Sequence, residues 1–508
     1  MRLISRKYFP AFAAACVHFL LSLIGILHHE IWLDEAHHFV LARDSASLNE
    51  LFQHTRYEGH PLLWNFLLFV LTRFTQDVFY MQLMHVLIAS AAVYVFAAYA
   101  PFRWWQKLCV VFGYFFFYEY DLISRNYALA LLLLICVCAL LAADKKRYYL
   151  IFVLLILLAY THLFALFCAI TLFLFVLRDY SSQAGTTRSL LAGALALAFC
   201  SGAFLQVIPP EDSPFSTGSE LGFSVQKAAM AVSVYFRGLL HFPNPSVHHF
   251  WNTNLIADLS GELAALLTVL FFIYPFIVLY DRTIALKLFY YSTFPIVLFI
   301  YFSPITTGVR YFGFVFVMFI VSVWVSRIRT FDEHGSLRGL GPFLDKIRSR
   351  ISGPVIALIL AVQAGAAVFA WVREYRFPFS AAKEASGYIQ AAGMKDHPVA
   401  VWEDQSAPAL SAYLQRKVYL PSRDTMGSFC LWNELGREQD PKELFGRMAV
   451  HLERIGKDKM VLVMSRAMNI VEAGAATEHK LVIRSEKIVD NAVIKAENCY
   501  VYVLEKAE

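Results

Sequence analysis

Long apolar runs, separated by short polar stretches, fill the chain as far as about residue 372. About 20 apolar residues suffice for a helix to cross a bilayer. The first run, 9–27, follows a basic segment at 1–7, as in a signal peptide, but it is too long for a typical signal sequence. No small-residue cleavage site follows, so we predict a retained first span with a cytoplasmic N-terminus. Further runs lie near 78–99, 106–119, 127–143, 148–178, 189–208, 258–280, 286–303, 308–326 and 354–372.

The run at 148–178 is too long for one untilted crossing, because a continuous helix of this length would extend about 46 Å. Thr161 and His162 lie at its middle. This pattern predicts two short helices that meet at a polar point. With the run counted as two, the chain is predicted to have about eleven transmembrane helices.

The short apolar segment at 62–74 decides which side of the membrane each later loop occupies. Lys and Arg collect in short cytoplasmic loops. If 62–74 lies on the outer face as a juxtamembrane helix, the basic groups of the later loops fall inside; if it crosses, nearly all fall outside. We therefore predict an outer juxtamembrane helix. The groups are Arg103/Lys107, Lys145/Lys146/Arg147, Arg178/Arg188, Arg282/Lys287 and Arg327, Arg329, Arg338, Lys346, Arg348, Arg350.

This topology places the stretches 28–77, 119–126, 209–257 and 303–308, and the tail from 373, on the outer side. The tail mixes two periodicities, which is typical of a small α/β domain. Alternating strand patterns occur at 398–402, 418–421, 460–464, 480–484 and 500–504, and helical patterns at 381–392 and 442–455. We predict two domains, a transmembrane domain at 1–372 and an extracytoplasmic α/β domain at 373–508.

The composition agrees with a polytopic α-helical membrane protein. Of the 508 residues, 58% are hydrophobic and 16% charged, against about 45–50% and about 25% in soluble proteins. The net charge is only +5, and the excess lies in the membrane part, so nucleic acid is not expected as a partner. The cysteines show no zinc spacing, and whether Cys430 and Cys499 pair is left open.

A dense group of ionisable residues follows the first span. Residues 28–38 contain three carboxylates and four imidazoles, among them Asp34, Glu35, His37 and His38. Such a cluster at the bilayer edge must be solvated, paired or metal-bound. A solvated helix cap is one interpretation. A divalent metal site with Glu35, His37 and His38 as candidate ligands is another, but the spacing does not specify the metal.

Two further polar clusters lie on the predicted outer side. The segment 57–61 contains His60, and 118–127 contains Glu119, Asp121, Arg125 and Tyr127. Two carboxylates and an arginine between apolar spans indicate function or pairing. The structural interpretation is an ion pair of Arg125 with Glu119 or Asp121 that holds two helix ends together.

Four motifs in order resemble landmarks of the GT-C glycosyltransferases, of the protein O-mannosyltransferase and lipid A aminoarabinose transferase type. They are Trp32-Leu33-Asp34-Glu35-Ala36, Glu58-Gly59-His60-Pro61-Leu62-Leu63, Ser124-Arg125-Asn126-Tyr127-Ala128-Leu129 and Tyr160-Thr161-His162. The resemblance covers about residues 1–330. It implies a membrane enzyme that transfers a sugar from a polyprenyl-phosphate carrier to a lipid, glycan or protein acceptor.

The resemblance also implies roles. Asp34 would be the general base of an inverting transfer, and Glu35 would orient Asp34 or contribute to a metal site. Cationic groups should hold the lipid phosphate, with Arg125 as the first candidate and Arg310, beside Tyr311, as the second. His60, Glu119, Asp121, Tyr127 and His162 complete the predicted substrate-binding set.

Other classes of protein remain open at this point. A flippase or polymerase of polyprenyl-linked glycans would also present basic groups to lipid phosphate, and a non-catalytic receptor could bind its ligand through the tail. A secondary transporter is disfavoured, because its ionisable groups would lie near mid-span. We expect membrane lipid around the protein and a bacterial plasma membrane as its location. No cofactor is predicted apart from the candidate metal.

Overall fold

The computed structural model of the chain describes residues 8–213, 224–302, 308–328, 341–433 and 440–507. The basic segment 1–7, most of the outer stretch 303–308, part of the stretch 209–257, and Arg329 and Arg338 lie outside the described residues. The described chain is mostly helical, with one small mixed sheet in its C-terminal part.

The helices that precede the sheet run in chain order as follows. They are α1 (Phe9–His28), α2 (Leu33–Asp44), α3 (Leu48–Thr55), α4 (Leu63–Thr72), α5 (Val78–Tyr99), α6 (Trp104–Val111), α7 (Tyr127–Leu141), α8 (Tyr148–Ala159), α9 (Leu163–Ala184), α10 (Thr186–Val207), α11 (Val225–Val232), α12 (Val234–Leu239), α13 (Leu255–Leu259), α14 (Gly261–Leu279), α15 (Thr283–Phe302), α16 (Val309–Val325) and α17 (Gly341–Arg376).

Length and apolar composition mark the chain as an integral membrane protein. Within the described residues, seven helices are long and apolar enough to cross a membrane: α1, α5, α9, α10, α14, α15 and α17. The helices α4, α7, α8 and α16 are apolar but shorter. The predicted helix at 62–74 forms as α4. The predicted break at Thr161 and His162 is also confirmed, since α8 and α9 end and begin on either side of it.

The run at 106–119 is not one continuous α-helix, contrary to the sequence-based prediction. The helix α6 ends at Val111, and a π-helical turn at Tyr114–Glu119 follows Gly113. A Cβ on Gly113 would lie 2.7 Å from the Cys109 carbonyl oxygen and 3.3 Å from Cβ of Gln363 on α17. Glycine at this position therefore allows α17 to pack closely where the chain changes from α to π geometry. The predicted span at 354–372 is part of the much longer α17.

The tail forms a three-layer α/β unit. Its strands are β1 (Val399–Val401), β2 (Val418–Leu420), β3 (Thr425–Gly427), β4 (Lys459–Met464), β5 (Leu481–Val489) and β6 (Cys499–Lys506), in the order β3-β2-β1-β4-β6-β5. The strand β1 is parallel to β2 and β4, and the other pairs are antiparallel. The helices of the unit are α18 (Ala382–Ala391), α19 (Ala407–Leu414), α20 (Pro441–Arg454) and α21 (Ile470–Glu478).

Alternation along the strands gives the sheet two apolar faces. Val399 and Val401 pack into a core with α18 and α19, and Ala400 between them packs into a second core with α20 and α21. This is the pleat of a strand, in which successive side chains point to opposite faces. All five predicted strands and both predicted helices form. The sequence analysis missed the short strand β3 and the helices α19 and α21.

The tail packs directly on α2. Ile31 N donates a hydrogen bond to the Tyr413 hydroxyl at 2.9 Å, and Leu33 N donates to Oε1 of Glu497 at 3.0 Å. At the other end of α2, Arg43 Nη2 donates to the Ser411 hydroxyl at 3.0 Å. Apolar side chains of α2, α4 and α19 form one shared core. The tail therefore fixes the position of the helix that carries Asp34 and Glu35.

Candidate functional site

The ends of several helices meet in one region, where loops connect one helix to the next. Asp34 lies in the first turn of α2, Arg125 in the loop before α7, and Arg310 in the first turn of α16. His60 precedes α4 and His162 is the N-terminal cap of α9. The backbone joins the last two segments, because Leu63 N donates to the Tyr160 carbonyl at 3.1 Å.

Two arginines converge on one oxygen of Asp34. Nη1 of Arg125 and Nη2 of Arg310 both form ion pairs with Oδ2 of Asp34, the second at 3.3 Å. These three residues are called the Asp34 cluster below. The Asp34 side chain is 20% exposed, whereas those of Arg125 and Arg310 are 5% and 16% exposed. The cluster contains two positive charges and one negative charge in a largely dehydrated space.

The charges of the cluster determine the protonation of Asp34. Burial alone would raise the pKa of Asp34, but Arg125 and Arg310 outweigh it and hold the pKa below its usual range. The positive end of the α2 helix dipole favours the anion as well. Asp34 is therefore ionised at neutral pH, as a general base must be, but its affinity for a proton is low.

Aromatic and imidazole rings line the neighbouring wall of the site. The rings of His60 and His162 lie 4.6 Å apart, and those of His162 and Tyr127 lie 4.7 Å apart. Nε2 of His60 is 3.2 Å from Nη2 of Arg125, which joins this histidine–tyrosine wall to the Asp34 cluster. Burial, with the charges of His162 and Arg125, holds the pKa of His60 well below 6.5. His60 is therefore neutral.

Several buried polar atoms around the site have no hydrogen-bond partner among the described residues. They are His60 Nδ1, Arg125 Nε, Tyr127 Oη, His162 Nε2, Arg310 Nε and Trp32 Nε1. Buried polar atoms in folded proteins normally have partners. Most of these atoms carry a hydrogen or can do so, so the site suits a ligand rich in oxygen acceptors, such as a phosphate or a sugar.

The Glu35 carboxylate does not enter the Asp34 cluster, because it is bonded to buried groups on the other side of α2. Its carboxylate accepts hydrogen bonds from Ser124 N and Trp32 N and lies 2.8 Å from Nε2 of His29. The other nitrogen of His29 contacts Glu374 at the end of α17. Burial alone would lower the pKa of His29, but the two carboxylates raise it to about 10. Glu35 thus ties the start of α2 to the loop that carries Arg125.

The three candidate metal ligands do not converge. Glu35 is engaged as described, His37 Nε2 pairs with Glu58 at 2.7 Å, and His38 Nδ1 bonds Asn65 at 2.8 Å. Burial would lower the pKa of His37, but Glu58 raises it to about 10. His37 is therefore an ion-pair partner of Glu58. Among the described residues, no group of three or more His, Cys, Asp or Glu side chains could hold a metal ion.

The predicted acidic residues occupy different places. Glu119 accepts hydrogen bonds from Trp251 Nε1 and the Tyr114 hydroxyl, both at 3.1 Å. It is close enough to Arg310 to interact with its charge. Asp121 is not brought to the site: its carboxylate bonds the Ser22 hydroxyl inside the helix bundle. Neither carboxylate forms the ion pair with Arg125 that the sequence left open, because Arg125 reaches Asp34 instead.

Tyr311 lies beside the cluster, with the Arg310 guanidinium 5.1 Å from its ring centre. Trp32 and Trp251 flank Arg310 in the same way, at 5.5 Å and 5.8 Å. The faces of aromatic rings stabilise a cation electrostatically. Neither tryptophan was predicted from the sequence as a site residue.

Another missed residue is His85 of α5, whose Nε2 and Nδ1 contact the backbone of Arg125 and Asp121 at 2.7 Å and 2.8 Å. It holds the Arg125 loop in place. An ionisable residue inside an apolar run was a signal that could have identified it.

No protein-family model matches the chain, and a search of curated proteins finds no match either.

Proposed function

We propose that the protein is an inverting glycosyltransferase of the GT-C type, which moves a sugar from a polyprenyl-phosphate carrier to an acceptor hydroxyl. The observation that carries the proposal is the convergence of Arg125 and Arg310 on Asp34. The cluster has one positive charge in excess, so a second anion can enter it. A lipid-linked phosphate is an anion that two planar guanidinium groups bind well.

In this proposal, about eleven spans place the Asp34 cluster and the tail on the extracytoplasmic side of a bacterial plasma membrane. The site lies at the ends of apolar helices, where the phosphate of a membrane lipid would reach it. The unpartnered ring nitrogens of His60 and His162 and the Tyr127 hydroxyl would form hydrogen bonds with the hydroxyl groups of the sugar. The acceptor can be a lipid, a glycan or a protein.

The reaction needs one base and one stabilised leaving group. The acceptor oxygen forms a bond to the anomeric carbon and its proton passes to Asp34. The bond from that carbon to the phosphate oxygen breaks, and its electron pair leaves with the polyprenyl phosphate. Arg125 and Arg310 hold the charge that develops on this phosphate. Glu35, His37 and His38 are engaged with other side chains, so each step is assigned to Asp34, Arg125 and Arg310.

Binding of the donor would also prepare the base. In the free protein both arginines stabilise the Asp34 carboxylate and lower its pKa. A bound phosphate would take over part of those hydrogen bonds and neutralise the two charges. The pKa of Asp34 would then rise towards its ordinary value, so that the carboxylate accepts a proton more readily.

The test is release of polyprenyl phosphate by the purified protein from a panel of polyprenyl-phosphate-linked sugars. Arg125→Lys keeps the charge but loses the planar fork. We expect about tenfold or greater losses in both polyprenyl-phosphate affinity and transfer rate. Arg348→Lys is the matched control, because Arg348 also pairs with an aspartate, Asp281 at 2.6 Å, outside the site.

Two results would contradict the proposal. Unchanged affinity in Arg125→Lys together with a lowered melting temperature would make Arg125 a structural residue. Movement of intact donor across a vesicle bilayer, without release of polyprenyl phosphate from any sugar of the panel, would favour the flippase.

A further inference from the structure

A second basic site lies at the helix ends opposite the Asp34 cluster. A cavity of about 530 Å³ is lined there by Pro101, Phe102, Arg103, Trp105, Gln106, Arg327, Gly353 and Ile356. Arg310 of the Asp34 cluster lies in the first turn of α16, and Arg327 of the cavity lies just after its last residue, Val325, so the helix separates them by about 25 Å. On α17, Glu374 and Ile356 are 18 residues apart, about 27 Å of helix. The cavity is therefore remote from the candidate functional site.

The two arginines of the cavity differ from other cations at this end of the bundle. Lys146 and Arg348 are paired with Asp179 and Asp281, at 2.6 Å each. Arg103 and Arg327 have no carboxylate partner among the described residues, and no acidic side chain lines the cavity. The cavity thus carries two uncompensated positive charges.

The remaining walls leave room for a ligand and supply further contacts. Gly353 of α17 has no atom within 4 Å of an added Cβ, so the space beside it is free. Arg327 is held in place by the Pro101 carbonyl and by the Phe102 ring, 5.0 Å from its guanidinium. The Gln106 side chain can donate its amide hydrogens, because its Oε1 accepts from Arg103 N at 3.0 Å.

The position of the cavity indicates the source of the anion. Trp104 and Trp105 are 43% and 44% exposed at the start of α6. Exposed tryptophans of membrane proteins concentrate at the level of the lipid headgroups. Leu108, one turn further along α6, is also exposed and would meet acyl chains. Basic pockets between transmembrane helices bind anionic lipid headgroups.

We propose that this cavity binds the phosphate-bearing headgroup of an anionic membrane lipid through Arg103 and Arg327. The proposal rests on the fold and on these charges, and it does not depend on the reaction at the Asp34 cluster. The lipid would occupy the crevice between α6, α17 and the end of α16, and so would brace three helices at the end remote from the site.

Native mass spectrometry of the full-length protein with added phosphatidylglycerol or phosphatidylcholine tests this. We expect preferential retention of phosphatidylglycerol. The double variant Arg103→Gln, Arg327→Gln should weaken its retention about tenfold or more, because two charges are lost. The control Lys346→Gln, Arg350→Gln removes two exposed charges of α17 outside the cavity and should change it little. Equal loss in both double variants, or no preference in the unmodified protein, would overturn the proposal.

A second measurement does not depend on the folding of the arginine variants. Phosphatidylglycerol with brominated chains should quench tryptophan fluorescence more than brominated phosphatidylcholine, and Trp105→Phe should reduce the difference. Equal quenching by the two lipids would overturn the proposal. So would displacement of phosphatidylglycerol by millimolar inorganic phosphate, which would assign the cavity to a soluble anion.

Discussion

Asp34 has two roles that compete. As the partner of Arg125 and Arg310 it neutralises one of two buried positive charges, and as a base it must take up a proton. An ion pair with good geometry makes a carboxylate a weaker base. The two roles are compatible only if another anion enters the cluster during the reaction, which is the part that we assign to the donor phosphate.

Asp34→Asn separates these roles. The amide keeps the size of the side chain but cannot take up the proton of the acceptor hydroxyl. We therefore expect the rate of sugar transfer to fall by about 10²-fold or more. It also removes the negative charge that competes with phosphate for the two arginines. Affinity for polyprenyl phosphate should therefore increase, which can be measured by titration of the purified variant alongside the transfer rate.

Glu35→Gln is the matched comparison at the next position. Glu35 is fully buried and contacts His29, Trp32 N and Ser124 N rather than the open space of the site. Its loss should lower the melting temperature without increasing affinity for polyprenyl phosphate. Near-normal transfer by Asp34→Asn, or weaker phosphate affinity in that variant, would remove Asp34 from the mechanism as described.

The sequence could identify the polar residues of the site that lie in short motifs at span ends. Asp34, His60 and Arg125 stood out because charged and imidazole groups are costly next to apolar helices, and Tyr127 and His162 were named from the motif resemblance. Trp251, Glu374 and Glu497 could not be found in this way. Each comes from a segment more than 100 residues distant from the motif it contacts, and only the packing of the α12–α13 loop, α17 and the tail brings them to the site.

Helix α2 is held at its N-terminus by a carboxylate of the tail. Glu497 accepts hydrogen bonds from Leu33 N at 3.0 Å and from the Ser380 hydroxyl at 2.8 Å. Burial, assisted by the charges of Asp34 and Glu35, raises the pKa of Glu497 to about 7. The first residue of α2, the helix that carries Asp34, is therefore hydrogen-bonded to a carboxyl group whose pKa lies near neutral pH.

This pKa gives the docking of the tail a pH dependence. Between pH 4.5 and 7 the folded state keeps the Glu497 proton while the unfolded chain has lost it, so stability falls as pH rises through this window. The full effect on the free energy of unfolding is up to about 3 kcal/mol.

The variant Glu497→Gln tests this pH dependence. Its melting temperature should match that of the unmodified protein near pH 4.5 and exceed it at pH 8. Glu478→Gln, an exposed residue paired with Lys442, is the control and should show the same pH dependence as the unmodified protein. An unchanged slope in Glu497→Gln would contradict the assignment.

Secondary structure could be predicted where one periodicity dominates, and it could not where packing decides. The strands of the tail formed as expected, and in β1 the successive residues Val399, Ala400 and Val401 pack alternately into the two cores. The change from α6 to the π-helical turn was not predictable from the apolar run; it occurs at Gly113, where α17 packs so closely that an added Cβ would lie 3.3 Å from Cβ of Gln363. A similar close approach occurs at Gly313, where a Cβ would overlap the Tyr120 hydroxyl.

The whole molecule has two unlike ends. The Asp34 cluster, the histidine–tyrosine wall and the tail lie at one end of the helix bundle. Arg103, Lys146, Arg327 and Arg348, which the sequence assigned to cytoplasmic loops, lie at the helix ends opposite to it. This arrangement agrees with the positive-inside rule if the cluster faces outwards, and it makes the topology testable with few substitutions.

Three exposed positions distinguish the two orientations. Asp212 and Glu384 are exposed at the end of the Asp34 cluster and in the tail, and Lys145 is exposed at the opposite end. Single cysteines at Asp212 and Glu384 should react with an impermeant thiol reagent in intact cells, whereas one at Lys145 should react only after permeabilisation. The unmodified chain gives the background: Cys138, Cys168, Cys200, Cys430 and Cys499 are buried, and Cys16, Cys109 and Cys136 are partly buried on apolar helices. The reverse pattern, with Lys145 labelled in intact cells and the other two protected, would place the Asp34 cluster in the cytoplasm. The whole helix bundle would then be inverted, because the end of α1 and the start of α5 lie together at the cluster, where Gln82 Nε2 donates to the His29 carbonyl at 3.2 Å.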